Sequence, residues 1–219
     1  MSINCWEIKP GISMCDKNHK LLKSRPPIIL FTGFLGSGKT TMLLKTIEML
    51  SAADKKCAII INEIGDVGID NRQMRMLGYE VLDLFGGCVC CTMKVTLEAT
   101  INHLLEGYQD LDYILFEPSG MANPLSMYPA MMNCGYREEE IQNVFIFDPT
   151  RVVLYEKRMN QLFNDSINLA RCVVINKLDE VGQREIEEAV KMVETIRPGL
   201  RTFKMNLKNE LCQEFHQYL

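Results

Sequence analysis

Histidine is scarce in this 219-residue chain: there are three, His19, His103 and His216, and they form no metal-storing run. Positive charge is not in excess either, since the formal net charge is −4. Without a basic face, broad binding to nucleic acid or to an anionic membrane surface is disfavoured. No apolar run reaches the ~20 residues that span a bilayer. The opening "MSINCWEIKPGISMCDKNHK" has no apolar core of the kind a signal peptide carries. These absences lead to the expectation of a cytoplasmic protein with reduced thiols and with neither nucleic acid nor membrane as partner. Internal repeats and low-complexity stretches are missing too. The length suits one α/β domain and falls short of two ordinary ones. The expected organisation is an irregular arm over 1–26 and one domain over 27–219.

Cysteine is abundant by contrast. There are nine, an odd number, and only Cys88, Cys90 and Cys91 cluster. A disulfide framework explains that pattern poorly.

Apolar runs alternate with helical stretches along the chain. "IILF", "CAIII", "YEVLDLF", "YILF", "NVFIFD", "CVVI" and "RTFKM" read as strands. Helical spacing is expected over 39–50, 71–77, 95–107, 153–170 and 184–196, with a short helix near the end. Strands apolar on both faces, alternating with helices, predict a mostly parallel sheet with helices on both faces. In such sheets ligands sit at the carboxyl ends of the strands. The fold class expected is α/β, of the P-loop NTPase type.

"GFLGSGKT", from Gly33 to Thr40, matches G-x-x-x-x-G-K-[ST] between a predicted strand and a predicted helix. Its glycines let successive backbone N–H groups turn inward, and the helix N-terminus adds partial positive charge for phosphate. Gly33, Gly36, Ser37, Gly38, Lys39, Thr40 and Thr41 are the expected nucleotide contacts. Lys39 would reach the outer phosphates, and the Thr40 hydroxyl would bind Mg²⁺. "NKLD" follows the apolar run "CVVI". There Asp179 can accept from the ring N–H and exocyclic amine of guanine, which adenine lacks, while Asn176 and Lys177 brace the loop and contact the base. Glu117 ends "YILF" and is the candidate second acid for Mg²⁺; with Lys39 it makes the catalytic pair. Gly120 would let a backbone N–H approach the γ-phosphate. Glu63 and Asp66, in the polar loop "NEIGDVGID", are further candidate acids for Mg²⁺ or a second metal.

The clustered thiols in "FGGCVCCTMK" admit three readings: a metal site, a redox pair and plain burial. Gly86 and Gly87 give the backbone freedom for the turn that three converging ligands need. Soft thiolates favour Zn²⁺ or Cu(I) and tolerate Co²⁺ or Ni²⁺. One compact triplet leaves an open shell, which Glu63, Asp66 or His103 would complete. Cys90 and Cys91, being adjacent, could pair only as a strained disulfide. The Gly-Gly flank favours metal.

In their order, "GFLGSGKTT", "NEIGDVGID", "GGCVCCT", "EPSGMANP" and "NKLD" resemble the CobW-type metallochaperone GTPases, relatives of UreG and HypB. The resemblance covers about residues 26–205. It implies GTP hydrolysis with Mg²⁺, a transition metal (Zn²⁺ or Co²⁺) on Cys88, Cys90 and Cys91, and delivery to a client metalloprotein or a cobalt/cobalamin pathway. Such proteins continue into a second, C-terminal domain, and this chain is expected to hold the GTPase core alone. "EPSGMANP" stands where "ETTGLADP" is usual, so Asn123 occupies an acid position. Two other readings stay open: a GTP-dependent activator of a corrinoid or nickel enzyme, and a regulatory GTPase with a structural zinc. A homodimer would supply groups in trans.

Overall fold

The computed structural model describes residues 25–61, 80–83, 90–209 and 211–219, and for 80–83 and 90–95 the description is of the backbone. Seven strands among the described residues form one sheet: β1 (Ile28–Thr32), β2 (Cys57–Ile61), β3 (Glu80–Asp83), β4 (Tyr113–Glu117), β5 (Ile141–Phe147), β6 (Cys172–Ile175) and β7 (Thr202–Lys204). Their order is β3-β2-β4-β1-β5-β6-β7, and every pairing is parallel. The expected α/β architecture is thus present. β1 lies in the middle, hydrogen-bonded to β4 on one side and β5 on the other.

Alternation along the strands feeds two faces. Ile29 and Phe31 of β1 pack with Met42, Leu43, Ile47 and Leu50 of helix α1 (Lys39–Ala52), and with Phe215 of the short helix α7 (Gln213–His216). Ile28 and Leu30 face the other way, against Leu97, Ile101 and Leu104 of α2 (Cys90–Gly107) and Met131 of α3 (Tyr128–Asn133). On that same second face, Phe145 and Phe147 of β5 meet α4 (Val152–Arg158), α5 (Asn160–Leu169) and α6 (Gln183–Ile196). Burial on both faces explains why these strands are apolar throughout.

Two expectations change. The helix expected over 153–170 is two, α4 and α5, broken at Met159 (φ −129°). Tyr155 and Phe163, on either side of the break, stack with rings 5.3 Å apart, and a straight helix would not bring residues eight apart face to face. The helix expected from 95 starts at Cys90, five residues earlier. Met132 is 44% exposed, whereas Met42 and Met131 are buried. Residues 1–24 of the arm, the loop and helix expected over 62–77, Glu63, Asp66 and Cys88 lie outside the described residues. Among the described residues, no helix is long and apolar enough to cross a membrane.

Candidate functional site

The carboxyl ends of β1, β4, β5 and β6 converge on the loop Gly33–Gly38. Gly33, Gly36 and Gly38 have φ of 144°, 76° and 107°, which L side chains rarely adopt. Space forbids side chains as well. A Cβ on Gly33 would stand 2.5 Å from Ile146 O, and one on Gly38 2.4 Å from Asn176 Nδ2. The glycine pattern is therefore a geometric requirement of this loop, and Gly38 delivers the chain directly into α1. Positive φ alternating with turn residues leaves a concave row of N–H groups at a helix N-terminus, a fit for phosphate.

Lys39 is buried, and its Nζ lies 3.4 Å from Phe34 O across the loop. Thr40 Oγ1 donates to Glu117 Oε1 at 2.9 Å, joining the start of α1 to the end of β4. This hydroxyl–carboxylate pair offers hard oxygen donors, the set that Mg²⁺ takes. Gly120 is pressed onto the loop: a Cβ there would meet Leu35 N at 2.5 Å and Lys39 Nζ at 3.1 Å. Thr41, the third residue of α1, is exposed. Ser37 is fully buried, and its Oγ makes no hydrogen bond.

The loop after β6 is fastened to the glycine-rich loop through Asn176. Its Nδ2 donates to Ser37 O at 2.8 Å, and its Oδ1 accepts from Leu207 N at 2.9 Å. Lys177 sits in the left-handed region (φ 55°) and donates to Asp148 Oδ2 at 2.7 Å. Asp179 faces outward and pairs with Lys208 Nζ at 2.7 Å. That hydrogen bond holds the Asp179 carboxyl below its usual range. Asn176, Lys177 and Asp179 thus share one loop but have three different surroundings.

Sequence reasoning missed Asp148 and Arg151. Asp148 is completely buried at the end of β5; its Oδ1 accepts from Thr150 N (3.0 Å) and Oγ1 (2.6 Å). Arg151 Nη1 donates to Leu35 O at 2.8 Å, and its Nε lies 3.5 Å from Asp148 Oδ2. The available signal was "FDPT", an acid before proline at a strand end, which marks a turn start but carries no hint of burial. Asn123, at the position where an acid is usual, caps the 3-10 turn Pro124–Ser126 by accepting from Leu125 N, and its Nδ2 donates to Asp165 of α5 at 3.1 Å.

Cys90 and Cys91 open α2, while Cys88, Glu63 and Asp66 lie outside the described residues. His103 is twelve residues beyond Cys91 on the same helix, ~18 Å at 1.5 Å per residue. It is too far along to complete a shell with that thiol. Among the described residues no group of three His, Cys, Asp or Glu side chains is placed to hold a metal. Cys57 and Cys172 are buried thiols, pushed up by desolvation to about 11 and about 12, and so are unreactive packing groups.

A parallel sheet with a glycine-rich loop between its central strand and a covering helix defines a phosphate-loop nucleotide-binding protein. The profile of the CobW/HypB/UreG nucleotide-binding domain matches residues 27–204, and the chain belongs to that family. It is 28% identical to the zinc chaperone CobW of Pseudomonas aeruginosa, over 80% of this chain and 57% of the relative. It is 34% identical to the zinc chaperone YeiR of Escherichia coli, over 74% of this chain and 49% of the relative. The chain thus spans about half the length of these curated relatives. In fold it is similar to HypB from Helicobacter pylori, crystallised with nickel, at a TM-score of 0.63 and 19% identity over 88% of this chain and 85% of that one.

Proposed function

We propose that the protein binds and hydrolyses GTP and uses that cycle to hold and hand over a transition metal, Zn²⁺ or Co²⁺, to a client metalloprotein. The observation that carries the reading is the Asn176 side chain, which ties Ser37 of the phosphate loop to the loop bearing Asp179. Phosphate recognition and base recognition are thereby parts of one rigid site. Asp179 supplies the acceptor that guanine satisfies and adenine does not. Lys39 and the loop N–H groups would take the phosphate charge. Gly120 brings backbone within reach of the γ-phosphate, and Thr40 and Glu117 would hold Mg²⁺, with Glu63 as a further acid. When bound, Mg²⁺ neutralises charge on the outer phosphates.

Cys88, Cys90 and Cys91 are the proposed cargo site. Support comes from their softness, from the Gly-Gly turn before them and from the zinc-chaperone relatives. Coupling between nucleotide and metal sites is typically ~1–3 kcal/mol. A strong zinc-thiolate site is worth ~10–16 kcal/mol. Nucleotide alone would therefore not expel the metal, and the client must offer competing ligands while hydrolysis tips the balance.

The test is a chelator-competed Zn²⁺ and Co²⁺ titration with Mg-GTP analogue and then Mg-GDP, on wild type and on a Cys88/Cys90/Cys91→Ser variant. Tight binding that needs the thiols and is about 5–150-fold stronger in one nucleotide state is the expected result. Affinity that ignores the nucleotide would leave the metal structural and sink the chaperone reading.

A further inference from the structure

Arg151 belongs to none of the motifs above, yet it touches the phosphate loop at its most adjustable peptide. Ser37 N donates to Phe34 O at 3.0 Å, closing a four-residue turn over Phe34–Ser37. Gly36, the third residue of that turn, has φ 76°. Positive φ at this position is the mark of a type II turn. Types I and II differ by a flip of the central peptide, here Leu35–Gly36. With glycine at the third position both orientations are open to the chain. Something outside the turn must select one.

Arg151 Nη1 donates to Leu35 O, the carbonyl of that same peptide, at 2.8 Å. A trans peptide is planar with its C=O and N–H on opposite sides. Holding the carbonyl outward therefore aims the Gly36 N–H away from Arg151, into the loop. Asn176 does the same two residues on, holding Ser37 O at 2.8 Å and so orienting the Gly38 N–H. The two outer carbonyls are gripped by side chains from two neighbouring strand ends. Arg151 is itself aligned by the buried Asp148, whose Oδ2 lies 3.5 Å from its Nε. Oδ2 also accepts from Lys177 Nζ, so this one carboxylate aligns a group on each side of the nucleotide site.

We propose that Arg151 is a positioning residue for the phosphate chain: by fixing the Leu35–Gly36 peptide it presents the Gly36 N–H to the outer phosphates. This rests on the reading of the loop as a nucleotide site, and it adds a residue that the glycine-rich motif does not contain. The consequence is specific. Losing the grip should cost affinity in proportion to how far the ligand reaches beyond its first phosphate, because the base and first phosphate are held elsewhere.

The experiment measures affinity of wild type and Arg151→Gln for GMP, GDP and a non-hydrolysable GTP analogue, each with Mg²⁺. One charge-assisted hydrogen bond put out of line should weaken GDP and the GTP analogue about tenfold. GMP should stay within about twofold, with the unfolding midpoint without nucleotide unchanged. Arg151→Lys, which keeps a positive donor without the guanidinium fork, should fall between the two on the same graded scale. An equal loss for all three ligands, or none, overturns the proposal. Should wild type prefer adenine nucleotides, the guanine reading fails while the same series with AMP, ADP and an ATP analogue still decides on Arg151. Wild type binding neither base overturns both.

Discussion

Two lysine–aspartate pairs with the same 2.7 Å separation meet at the loop after β6: Lys177 with Asp148, and Lys208 with Asp179. Distance alone would rank them equal. Asp148 is fully buried and Lys177 is 21% exposed, whereas Lys208 and Asp179 are 64% and 40% exposed. The buried carboxylate has no water to fall back on, so its cap on Thr150 and its bond to Lys177 are obligatory. The outer pair is screened by solvent and opens at little cost. That difference suits their places. Asp148 fixes the relation between Lys177 and Arg151; under the proposed function, Asp179 must release Lys208 before a base can take its oxygens. A rigid anchor and an exchangeable partner are built from the same two residue types, and burial separates them.

The largest expected effect is on the inner pair. Asp148→Ala leaves the Lys177 ammonium without its partner and the 3-10 turn Pro149–Arg151 without its cap. Loss of one member of a buried pair costs about 3 kcal/mol. For a chain of this length that lowers the thermal midpoint by roughly 6–12 °C. Asp179→Ala, measured in the same way, should leave the midpoint where it is. Equal midpoints for the two variants would break the contrast between the pairs.

The separate legibility of these groups has a physical basis. The turned loop with Gly33, Gly36 and Gly38 and the helix that starts at Lys39 were readable because such a loop is local: its constraints fall on consecutive residues. The place of Asn176 and Asp179 just after a strand was readable because the apolar run "CVVI" is itself local. Arg151 reaches a carbonyl 116 positions away, and Lys177 reaches an acid 29 positions away. No local pattern encodes such contacts; they exist only once β5 has been placed beside β1 and β6 beside β5. The parallel sheet was legible from the doubly buried strands, whereas the neighbours of each strand were not. The start of α2 at Cys90 was missed because apolar spacing begins only near Leu97, and "CCTM" carries no capping signal. Asn123 kept its place in the pattern but not the charge that a ligand acid would bring, and it is spent on a turn cap.

A smaller effect sharpens the outer pair. Asp179→Asn replaces an acceptor by an amide, and the guanine amine loses its charged partner. Preference for GTP over ATP should fall about thirty- to a hundredfold. Part of the lost affinity should reappear with xanthosine triphosphate, whose 2-oxo group can accept from the new amide. A competition assay with the three triphosphates reads this directly, and an unchanged GTP preference would remove Asp179 from base recognition.

The smallest effect is electrostatic and isolates Lys208. Its hydrogen bond is the main cause holding the Asp179 carboxyl below its usual 3.8. The same bond raises the Lys208 ammonium above its usual 10.5. A depressed carboxyl stabilises the folded chain at pH above the unfolded value, about 3.8, and the contribution is lost as pH falls through the lower folded value. The raised ammonium contributes below about 10.5 and loses that contribution as pH rises through its folded value. Lys208→Ala should therefore return the Asp179 carboxyl toward 3.8, which a carbon-detected NMR titration over pH 2–6 would follow. With its competitor gone, Asp179 is open to a base, and GTP affinity should rise, by no more than about threefold for a screened surface pair. A weaker affinity for GTP would show instead that Lys208 contacts the nucleotide, and the outer pair would then be part of the binding surface rather than its occupant in waiting.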